Sequence, residues 1–358
     1  MPADSHPSPK GIDVLDLLTS LGWDDARAAE FAPLASSAVP ARVSRVDRGV
    51  IEVITEDNPL RIPLQAGDPR VAVGDWVTLT AADRRWQLDS VLVRRSAIRR
   101  AAVTGESFDQ LLATNVDLAL VVVPAVPEPR LGMTERLVAL AWDSGATPVV
   151  VLTKADLVAD ADGIGDDLRA SAPGVEVLTV TAAAAGGYEP VRSLLSTGTT
   201  LCLLGRSGAG KSTLANALLG EDRFATADIR VDGKGRHTTS CRELVALPGG
   251  GVLIDTPGLR GVGLWLEGDG LARAFADIEE LLPTCRFSDC GHETEPGCAV
   301  QAALDSGALD PRRFASWRKL QREAQWIARR TDARLRAEEV RRWKAVSVEM
   351  RRSRRARP

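Results

Sequence analysis

Residues 205–213 read GRSGAGKST and directly follow the apolar run TLCLL of residues 200–204. A Gly, four further residues and Gly-Lys-Ser/Thr form the pattern of a phosphate-binding loop between a strand and a helix. Its glycines let backbone N–H groups point at phosphate oxygens, and the N-terminus of the following helix favours an anion. We therefore expect nucleotide contacts from nine residues: Gly205, Arg206, Ser207, Gly208, Ala209, Gly210, Lys211, Ser212 and Thr213.

Two of these side chains have more specific expected roles. The Lys211 ammonium is expected to reach the β- and γ-phosphates and to serve in catalysis, and the Ser212 hydroxyl is expected to ligate Mg²⁺. The chain contains 39 Arg and 6 Lys. Because arginine is the usual basic residue of this chain, a lysine indicates a position that requires a compact ammonium rather than a planar guanidinium. Lys211 is one such position, and Lys154 is another.

Four further apolar runs predict the sheet around this loop. They read VDLALVVVP at residues 116–124, TPVVVLT at 147–153, EVLTVTA at 176–182 and GVLIDT at 251–256. Continuous apolar runs are typical of parallel strands buried on both faces, and helical segments alternate with them, so we predict a doubly wound α/β domain. Ligands of such sheets bind at the carboxyl ends of the strands.

A guanine-reading element is predicted after the second of these runs. The tetrapeptide TKAD begins at Thr153 and matches the Asn/Thr-Lys-x-Asp element of GTPases, whose carboxylate accepts from the ring N–H and the exocyclic amine of guanine. Asp156 is then the base selector, and Lys154 packs over the base and supports the phosphate loop. The next run ends in Thr181 and Ala182, which are placed to offer a backbone N–H to the guanine carbonyl.

A magnesium and γ-phosphate site is predicted from two later segments. Asp255 ends the run GVLID and is the expected carboxylate for Mg²⁺, while the N–H of Gly258 is expected to contact the γ-phosphate. The segment GRHTT at residues 235–239 precedes them, and we expect a threonine there to complete the Mg²⁺ shell, with Thr239 preferred to Thr238. The alternative is that this segment is a plain surface loop.

The order of these elements along the chain is unusual. A conventional GTPase runs phosphate loop, switch, Asp-x-x-Gly and then the base-reading elements, whereas here the base-reading residues 153–156 and 181–182 come first. Because a parallel sheet brings the same loops together in either order, this predicts a circularly permuted GTPase domain with an unchanged site.

His237, in the segment 235–239, is the second candidate catalytic residue beside Lys211. Leu259 follows Gly258 where Ras-like proteins carry a water-positioning Gln, and an aliphatic side chain cannot orient water. Intrinsic hydrolysis is therefore expected to be slow, with His237 docking when a partner orders its loop. The alternative is a purely structural histidine.

Four metal-ligating side chains lie within the fourteen residues CRFSDCGHETEPGC. They are Cys285, Cys290, His292 and Cys298. Three thiolates and one imidazole make a closed tetrahedral set for zinc, so the metal is expected to be structural. The spacings of four, one and five intervening residues differ from those of a zinc finger, and the alternative is a chance group of buried thiols. Cys202 and Cys241 are interpreted as ordinary core or loop residues.

Changes in pattern divide the chain into five predicted units. Residues 38–102 alternate apolar and polar residues over short runs, which predicts antiparallel strands in an oligonucleotide-binding (OB)-like β-barrel. Its arginines Arg94, Arg95, Arg99 and Arg100 suit a surface that faces nucleic acid. The units are an N-terminal helical extension over 1–37, the barrel over 38–102, the GTPase domain over 103–268, a zinc-binding helical domain over 269–345 and a basic tail over 346–358.

Charge is distributed unevenly along the chain. The formal net charge is −3, yet residues 311–358 carry 17 Lys and Arg against 5 Asp and Glu, which leaves the first 310 residues at −15. A basic segment without acidic partners, beside a zinc site, predicts an RNA-binding surface.

No run approaches eighteen apolar residues, the N-terminus is polar, and cysteines are sparse. We therefore expect a cytoplasmic protein without a membrane span or a disulfide framework.

The chain resembles the ribosome small subunit-dependent GTPase A (RsgA) family over nearly its whole length. The shared motifs are VGDWV, TKAD, GRSGAGKST, GRHTTS, LPGGGVLIDTPG and CRFSDCGHETEPGCAV. The resemblance implies late maturation of the small (30S) ribosomal subunit, GTP hydrolysis to GDP and phosphate stimulated by that subunit, and rRNA contacts through the barrel and the zinc domain. We expect a monomer with one structural Zn²⁺ and with Mg²⁺ bound alongside GTP.

This chain departs from the usual family pattern at three places. Thr153 stands where the family usually has Asn, Thr181 stands where it usually has Ser, and Leu259-Arg260-Gly261 lacks the acidic residue that commonly follows Arg. Thr153 is expected to make fewer hydrogen bonds than Asn would.

Two other function classes fit parts of the pattern. One is a P-loop kinase of a small metabolite, which needs a lid and an acceptor pocket, and no lid-like arginine cluster follows the loop. The other is a non-catalytic nucleic-acid-binding zinc protein, which would keep its function without Lys211. A preference for ATP over GTP would indicate the kinase, so nucleotide preference separates these classes.

Overall fold

The computed structural model describes residues 14–82, 85–100, 110–184, 186–224, 242–255 and 268–331. Several residues singled out in the sequence lie outside these ranges: His237, Thr238, Thr239, Cys241, Gly258 and Leu259. The basic tail predicted over 346–358 lies outside them as well. Within the described ranges, no helix has both the length and the apolar composition to cross a membrane.

Two short helices begin the described chain. α1 spans Val14–Ser20 and α2 spans Asp25–Phe31, followed by a 3₁₀ turn over Ala32–Leu34. The Asp24 carboxylate begins α2 by accepting a hydrogen bond from the Arg27 backbone N–H at 2.9 Å, which satisfies one of the free donors of a helix N-terminus. Buried leucines of this segment join the main apolar core, so the predicted helical extension is a packed part of the molecule.

Five antiparallel strands follow the helices. They are β1 (Ala38–Asp47), β2 (Val50–Ile54), β3 (Pro59–Pro63), β4 (Trp76–Ala82) and β5 (Arg85–Val91). β1 pairs with β2 and β4, β3 pairs with β2, and β5 pairs with β4. Ile51 and Val53, alternate residues of β2, are fully buried in the core of this unit, as a period of two predicts. The antiparallel strands are confirmed; closure into an OB-like barrel stays a prediction.

A separate two-stranded sheet follows in the chain, formed by β6 (Ala97–Arg100) and β7 (Gln110–Thr114). The predicted parallel strands come after it and lie together in one sheet. Its strands are β8 (Leu118–Pro124), β9 (Thr147–Thr153), β10 (Glu176–Thr179), β11 (Thr200–Leu204), β12 (Glu243–Ala246) and β13 (Val252–Asp255). The spatial order is β10-β9-β8-β11-β13-β12, with β12 antiparallel to β13 and also paired with β1. The two units therefore share one continuous sheet.

Helices cover both faces of this sheet, as predicted for a doubly wound domain. They include α3 (Leu131–Asp143), α4 (Ala161–Ser171), α5 (Glu189–Arg192) and α6 (Lys211–Leu219). In β8, Leu120 and Val122 belong to one buried apolar cluster, while Val121 and Val123 belong to the other. This double burial explains why the strand reads as a continuous apolar run.

The described C-terminal region is helical, as its pattern predicts. It contains α7 (Gly270–Ala274), α8 (Ala276–Glu279), a 3₁₀ turn over Leu282–Thr284, α9 (Ala299–Asp305) and α10 (Pro311–Thr331). The cysteine-rich loop lies between the 3₁₀ turn and α9, and α10 packs against α3 of the phosphate-loop sheet.

The start of α10 corrects the expectation that the basic C-terminal segment lacks acidic partners. Arg312 and Arg313 contact Glu135 of α3 at 3.0 and 3.3 Å, and Arg318 pairs with Glu293 of the cysteine-rich loop. These partners come from elements distant in sequence, so the local composition does not reveal them. Part of the charge of α10 therefore holds the fold together.

Two of the four arginines expected to face nucleic acid are also paired. Arg94 donates to both carboxylate oxygens of Asp75 at 2.7 and 2.8 Å, and Arg95 donates to both oxygens of Asp24 at 2.5 and 2.6 Å. Bidentate pairing directs each of these two guanidinium groups at a carboxylate, and that this surface faces nucleic acid stays a prediction.

Candidate nucleotide site and metal centre

The predicted nucleotide-binding loops meet at the carboxyl edge of the parallel sheet. Pro124 of β8 lies opposite Thr153 of β9, and the Val180 N–H donates to the Leu152 carbonyl at 2.8 Å, so the residues after β8, β9 and β10 are neighbours. β11 pairs in parallel with β8 and with β13. The loop after β11 and the carboxyl end of β13 therefore join the same edge, although the segments come from distant parts of the chain.

The phosphate loop connects β11 to α6 through glycines with positive φ. Gly208 and Gly210 have φ of 80° and 94°, in the left-handed region that glycine enters readily. A Cβ at Gly205 would lie 2.6 Å from the Val122 carbonyl oxygen, so this glycine lets the loop pass close to β8. The backbone therefore has the form that a phosphate cradle requires.

Lys211 lies inside this loop. Its ammonium donates to the carbonyl oxygens of Gly205 and Arg206 at 3.0 and 2.9 Å, and the residue is 8% exposed. Burial lowers its pKa, and the nearby Asp255 carboxylate opposes that effect. The positive charge is thus held inside the loop by two backbone carbonyls.

Asp255 ends β13 and is 9% exposed. Burial raises the pKa of this carboxyl to about 6, while the Lys211 ammonium acts in the lowering direction. A carboxylate and the half-buried Ser212 hydroxyl at the start of α6 are oxygen donors of the kind that Mg²⁺ prefers. The donor set therefore fits Mg²⁺, which would neutralise phosphate charge when bound.

Thr153 connects the base-reading element to the phosphate loop. Its hydroxyl donates to the Ala209 carbonyl at 2.6 Å, and the residue is 5% exposed. A Cβ on Gly210 would lie 3.2 Å from the same hydroxyl, so the two segments are in close contact. The threonine retains a direct hydrogen bond between the two elements, where the sequence indicated weaker support.

Asp156 and Thr181, two residues from different loops that the sequence predicts to read the base, are in contact. The Thr181 hydroxyl donates to Asp156 Oδ1 at 2.7 Å and accepts from the Ala183 N–H at 3.1 Å. Lys154 adopts a left-handed backbone conformation with φ of 58°, which turns the chain between β9 and Asp156. The structure therefore brings together the residues that the sequence assigned to guanine.

The pH dependence of magnesium-supported GTP binding tests the environment of Asp255. A carboxylate with a pKa of about 6 is charged above that pH and neutral below it, so Mg²⁺ affinity should fall about tenfold per pH unit below 6. Titration of Mg²⁺ into the GTP complex from pH about 5 to about 8 measures this. Asp255→Asn should bind weakly and keep only the pH dependence of the terminal phosphate of GTP, whose second pKa is also about 6; a parent affinity with the same pH dependence as Asp255→Asn would contradict the assignment.

The four predicted zinc ligands converge. The ligand atoms of Cys285, Cys290, His292 and Cys298 all lie within 4.8 Å of one another. The Cys285 and Cys298 sulfurs are 3.9 Å apart, and His292 Nδ1 lies 3.6 and 3.5 Å from them. Tetrahedral Zn–S and Zn–N bonds of about 2.0–2.3 Å produce ligand separations of this size.

Neighbouring backbone groups hold the ligands in place. The Gln301 N–H points at Cys298 Sγ at 3.5 Å, and the Gln301 side-chain amide donates to the His292 carbonyl at 2.7 Å. His292 has a positive φ of 58°. Three thiols, one imidazole and supporting hydrogen bonds fit zinc in a closed structural site.

Loss of one ligand should remove the metal. We expect Cys290→Ser to reduce the zinc content from about one ion per chain to a small fraction, because a closed site needs all four ligands. Metal analysis of the purified chain measures this. Cys202→Ala is the matched control, since Cys202 is buried in β11, away from the metal cluster. Equal zinc content in both variants would contradict a Cys3His site.

The structure also adds residues that sequence reasoning missed. Tyr188, the one tyrosine of the chain, has a pKa raised by burial and by the charge of Asp156, so it belongs to the environment of the base selector. Glu135 and Arg313 form a buried ion pair between α3 and α10. Its long sequence separation left no local signal.

Comparisons with known proteins agree with this geometry. The RsgA GTPase family model matches residues 91–265. The chain is 53% identical over 331 residues to the small ribosomal subunit biogenesis GTPase RsgA of Streptomyces coelicolor, covering 90% of each chain. It is 42% identical over 352 residues to the protein of that name from Opitutus terrae, covering 92% of this chain and 95% of the other.

Two solved structures share the fold. The crystal structure of YjeQ from Thermotoga maritima has a TM-score of 0.60 at 23% identity, covering 80% of this chain and 98% of that one. The structure of YloQ, described as a circularly permuted GTPase, has a TM-score of 0.56 at 23% identity and covers 80% and 95%. The similarity confirms a circularly permuted GTPase fold.

Proposed function

The chain belongs to the RsgA GTPase family, and we infer that it hydrolyses GTP to GDP and phosphate in the biogenesis of the small (30S) ribosomal subunit. The observation that carries this proposal is 53% identity, over 90% of both chains, to a protein named for that function. We further propose that the chain binds the subunit during late maturation and that the subunit stimulates hydrolysis.

In this proposal the loops at the carboxyl edge of the sheet bind GTP. Residues 205–213 hold the phosphates, Lys154, Asp156, Thr181 and Ala182 hold the guanine, and Gly258 contacts the γ-phosphate. The contact of Thr181 with Asp156 at 2.7 Å and the position of Lys211 in the loop support these assignments. Ser212 and Thr239 are proposed to hold Mg²⁺ directly, and Asp255 is proposed to hold it through water.

RNA contacts are assigned to the two flanking units. β3 and β5 contact each other at the two ends of the antiparallel strand order, which supports closure of residues 38–102 into an OB-like barrel, a fold that binds oligonucleotides. The Cys3His cluster would carry one structural Zn²⁺ in the C-terminal domain. The uneven charge of the chain, concentrated after residue 311, supports rRNA as the partner of that domain.

Nucleotide turnover with and without purified small subunits tests the function. We expect slow GTP hydrolysis by the chain alone and faster hydrolysis when small subunits are added, with large subunits as the control. A preference for ATP over GTP would contradict the GTPase and favour a kinase. Equal stimulation by both subunits would contradict the assigned partner.

His237 is proposed to assist hydrolysis once the subunit is bound. We expect His237→Ala to lower subunit-stimulated turnover by about 10²-fold or more, the usual contribution of a positioned acid–base group, while slow basal turnover changes little. Steady-state phosphate release with saturating subunits measures this. Full stimulated turnover in the variant would show that His237 is structural.

A further inference from the structure

A cavity of about 340 Å³ lies at the edge of the sheet formed by the amino ends of the parallel strands. The nucleotide loops lie at the opposite edge. Its walls include Asp117, just before β8, and Thr200, at the start of β11. Both residues lie at the amino ends of parallel strands, whereas the nucleotide loops follow the carboxyl ends. The segment of α1 and α2, strands β1 and β4, and the loops around Arg95, Asn115 and Thr197 supply other parts of the wall. The cavity is therefore separate from the GTP site and lies where three parts of the chain meet.

Arg42 is the buried charge of this cavity. It lies on β1, is 1% exposed, and stands with its guanidinium 5.2 Å from the ring centroid of Trp76. One Nη donates to the Thr200 hydroxyl at 2.8 Å and to the Asn115 carbonyl at 3.3 Å. Its Nε is buried and has no hydrogen-bond partner within the described ranges. A buried donor without an acceptor is costly.

The neighbouring charges do not neutralise Arg42. Arg27 pairs with Glu30, and Arg95 pairs with Asp24, so both are matched by carboxylates. Arg42 has no ion pair within 4.0 Å among the described residues; the Asp117 carboxylate instead accepts from the Thr200 N–H at 2.7 Å. Burial lowers the pKa of Arg42 to about 9, with Asp117 acting against that effect. Arg42 is thus a buried cation that no described carboxylate contacts, and Asp117, which also lines the cavity, acts on it only at longer range.

A second guanidinium strengthens the site. Arg27 is 2% exposed and lines the same cavity. It donates to Asn115 Oδ1 at 2.6 Å, and the carbonyl of that asparagine accepts from Arg42. Asn115 therefore fixes both side chains. Paired arginines are suited to oxyanions because their planar donor groups match carboxylate and phosphate oxygens.

We propose that this cavity is a binding site for a small oxyanion, held by Arg42 and Arg27 at the junction of the N-terminal helices, β1 and the GTPase sheet. The volume is about ten times that of a water molecule and within the range of small-molecule sites. It accommodates a phosphoryl or carboxylate group with a small organic part against the tryptophan walls. The site is independent of the proposed GTPase function, since its residues lie away from the nucleotide loops.

Calorimetric titration of the full chain, saturated with GDP and Mg²⁺ so that the phosphate loop is filled, tests this proposal. The probes are inorganic phosphate and sodium acetate at matched ionic strength. We expect saturable one-site binding of at least one probe. The probe with the higher affinity identifies the preferred oxyanion, phosphate or carboxylate. No saturable binding of either probe would overturn the proposal.

Two variants locate the site. Arg42→Gln should weaken binding at least tenfold, because it removes a charge-assisted hydrogen-bond donor. Thr197→Trp leaves every buried residue in place and should obstruct the cavity, since Thr197 is exposed and lines it. Ser306→Trp, at an exposed position after α9, is the control and should bind like the parent. Parent-like affinity in Thr197→Trp, or equal loss in Ser306→Trp, would overturn the proposal even if Arg42→Gln failed to fold.

Discussion

Replacing Lys211 with alanine is expected to lower GTP turnover by about two to three orders of magnitude, the usual loss when a preorganised donor to the transition state is removed. The residue is 8% exposed, and its ammonium is held by the Gly205 and Arg206 carbonyls at 3.0 and 2.9 Å. In this poorly solvated position its charge acts strongly on phosphate oxygens, because little water screens it.

Lys211 also maintains the loop, so the variant should bind GTP more weakly as well. The two carbonyls that it satisfies would lose their donor, and the loop would lose part of its shape. Steady-state hydrolysis with and without small subunits, together with GTP affinity, separates the two effects. Lys319→Ala is the matched control for GTP affinity and for turnover without subunits, since Lys319 is exposed on α10. Turnover within about threefold of the parent in Lys211→Ala would contradict the assigned role.

Replacing Arg313 with alanine is expected to destabilise the fold by about 3–5 kcal/mol, the usual cost of breaking a buried ion pair from one side. All five donors of this guanidinium are used: Nε and one Nη donate to the two oxygens of Asp277 at 2.7 and 2.6 Å, and the remaining donors reach Glu135, Ser171 and Ala274 at 3.3, 2.7 and 2.9 Å. The guanidinium also lies 4.6 Å from the Phe275 ring centroid.

The cost is large because Glu135 would remain buried. This carboxylate is 1% exposed, and its other partner, Arg312, is 39% exposed at the side chain. Arg313→Lys should also be destabilising, since an ammonium cannot reproduce five donors in one plane. Both variants should loosen α10 from α3 and thereby release the zinc-binding region from the GTPase sheet.

Chemical denaturation of the full chain measures the change in the free energy of unfolding. Arg318→Ala is the matched control on the same helix, because its partner Glu293 is exposed and such surface pairs contribute about 0–1 kcal/mol. Equal destabilisation by Arg313→Ala and Arg318→Ala would show that the Arg313 contacts do not hold the two regions together.

The nucleotide site was predictable because its signals are local. Glycines at 205, 208 and 210 mark a turn that needs positive φ, and the structure shows such φ at all three. The apolar runs around them correspond to the parallel strands of one mixed sheet. The zinc set was predictable for the same reason, since its four ligands lie within fourteen residues and converge.

Charge partnerships were not predictable from local pattern. The basic C-terminal segment suggested a surface without acidic partners, but Arg312 and Arg313 meet Glu135, which lies far from them in the sequence. Arg94 and Arg95 are likewise committed to Asp75 and Asp24. Composition counts charges without showing which ones become neighbours.

The sequence alone therefore determined the phosphate loop, the permuted order of the GTPase elements and the four residues of the Cys3His cluster. Each motif depends on backbone conformation or ligand chemistry within a short segment of the chain. The permuted order then follows from the positions of the motifs along the sequence. The tertiary structure decided which arginines are neutralised inside the fold, and it placed Arg42 in a cavity wall where no carboxylate of the described residues lies within 4.0 Å of its guanidinium. A long charged side chain takes its environment from whatever segments pack around it, and burial makes each of those contacts far stronger than in water.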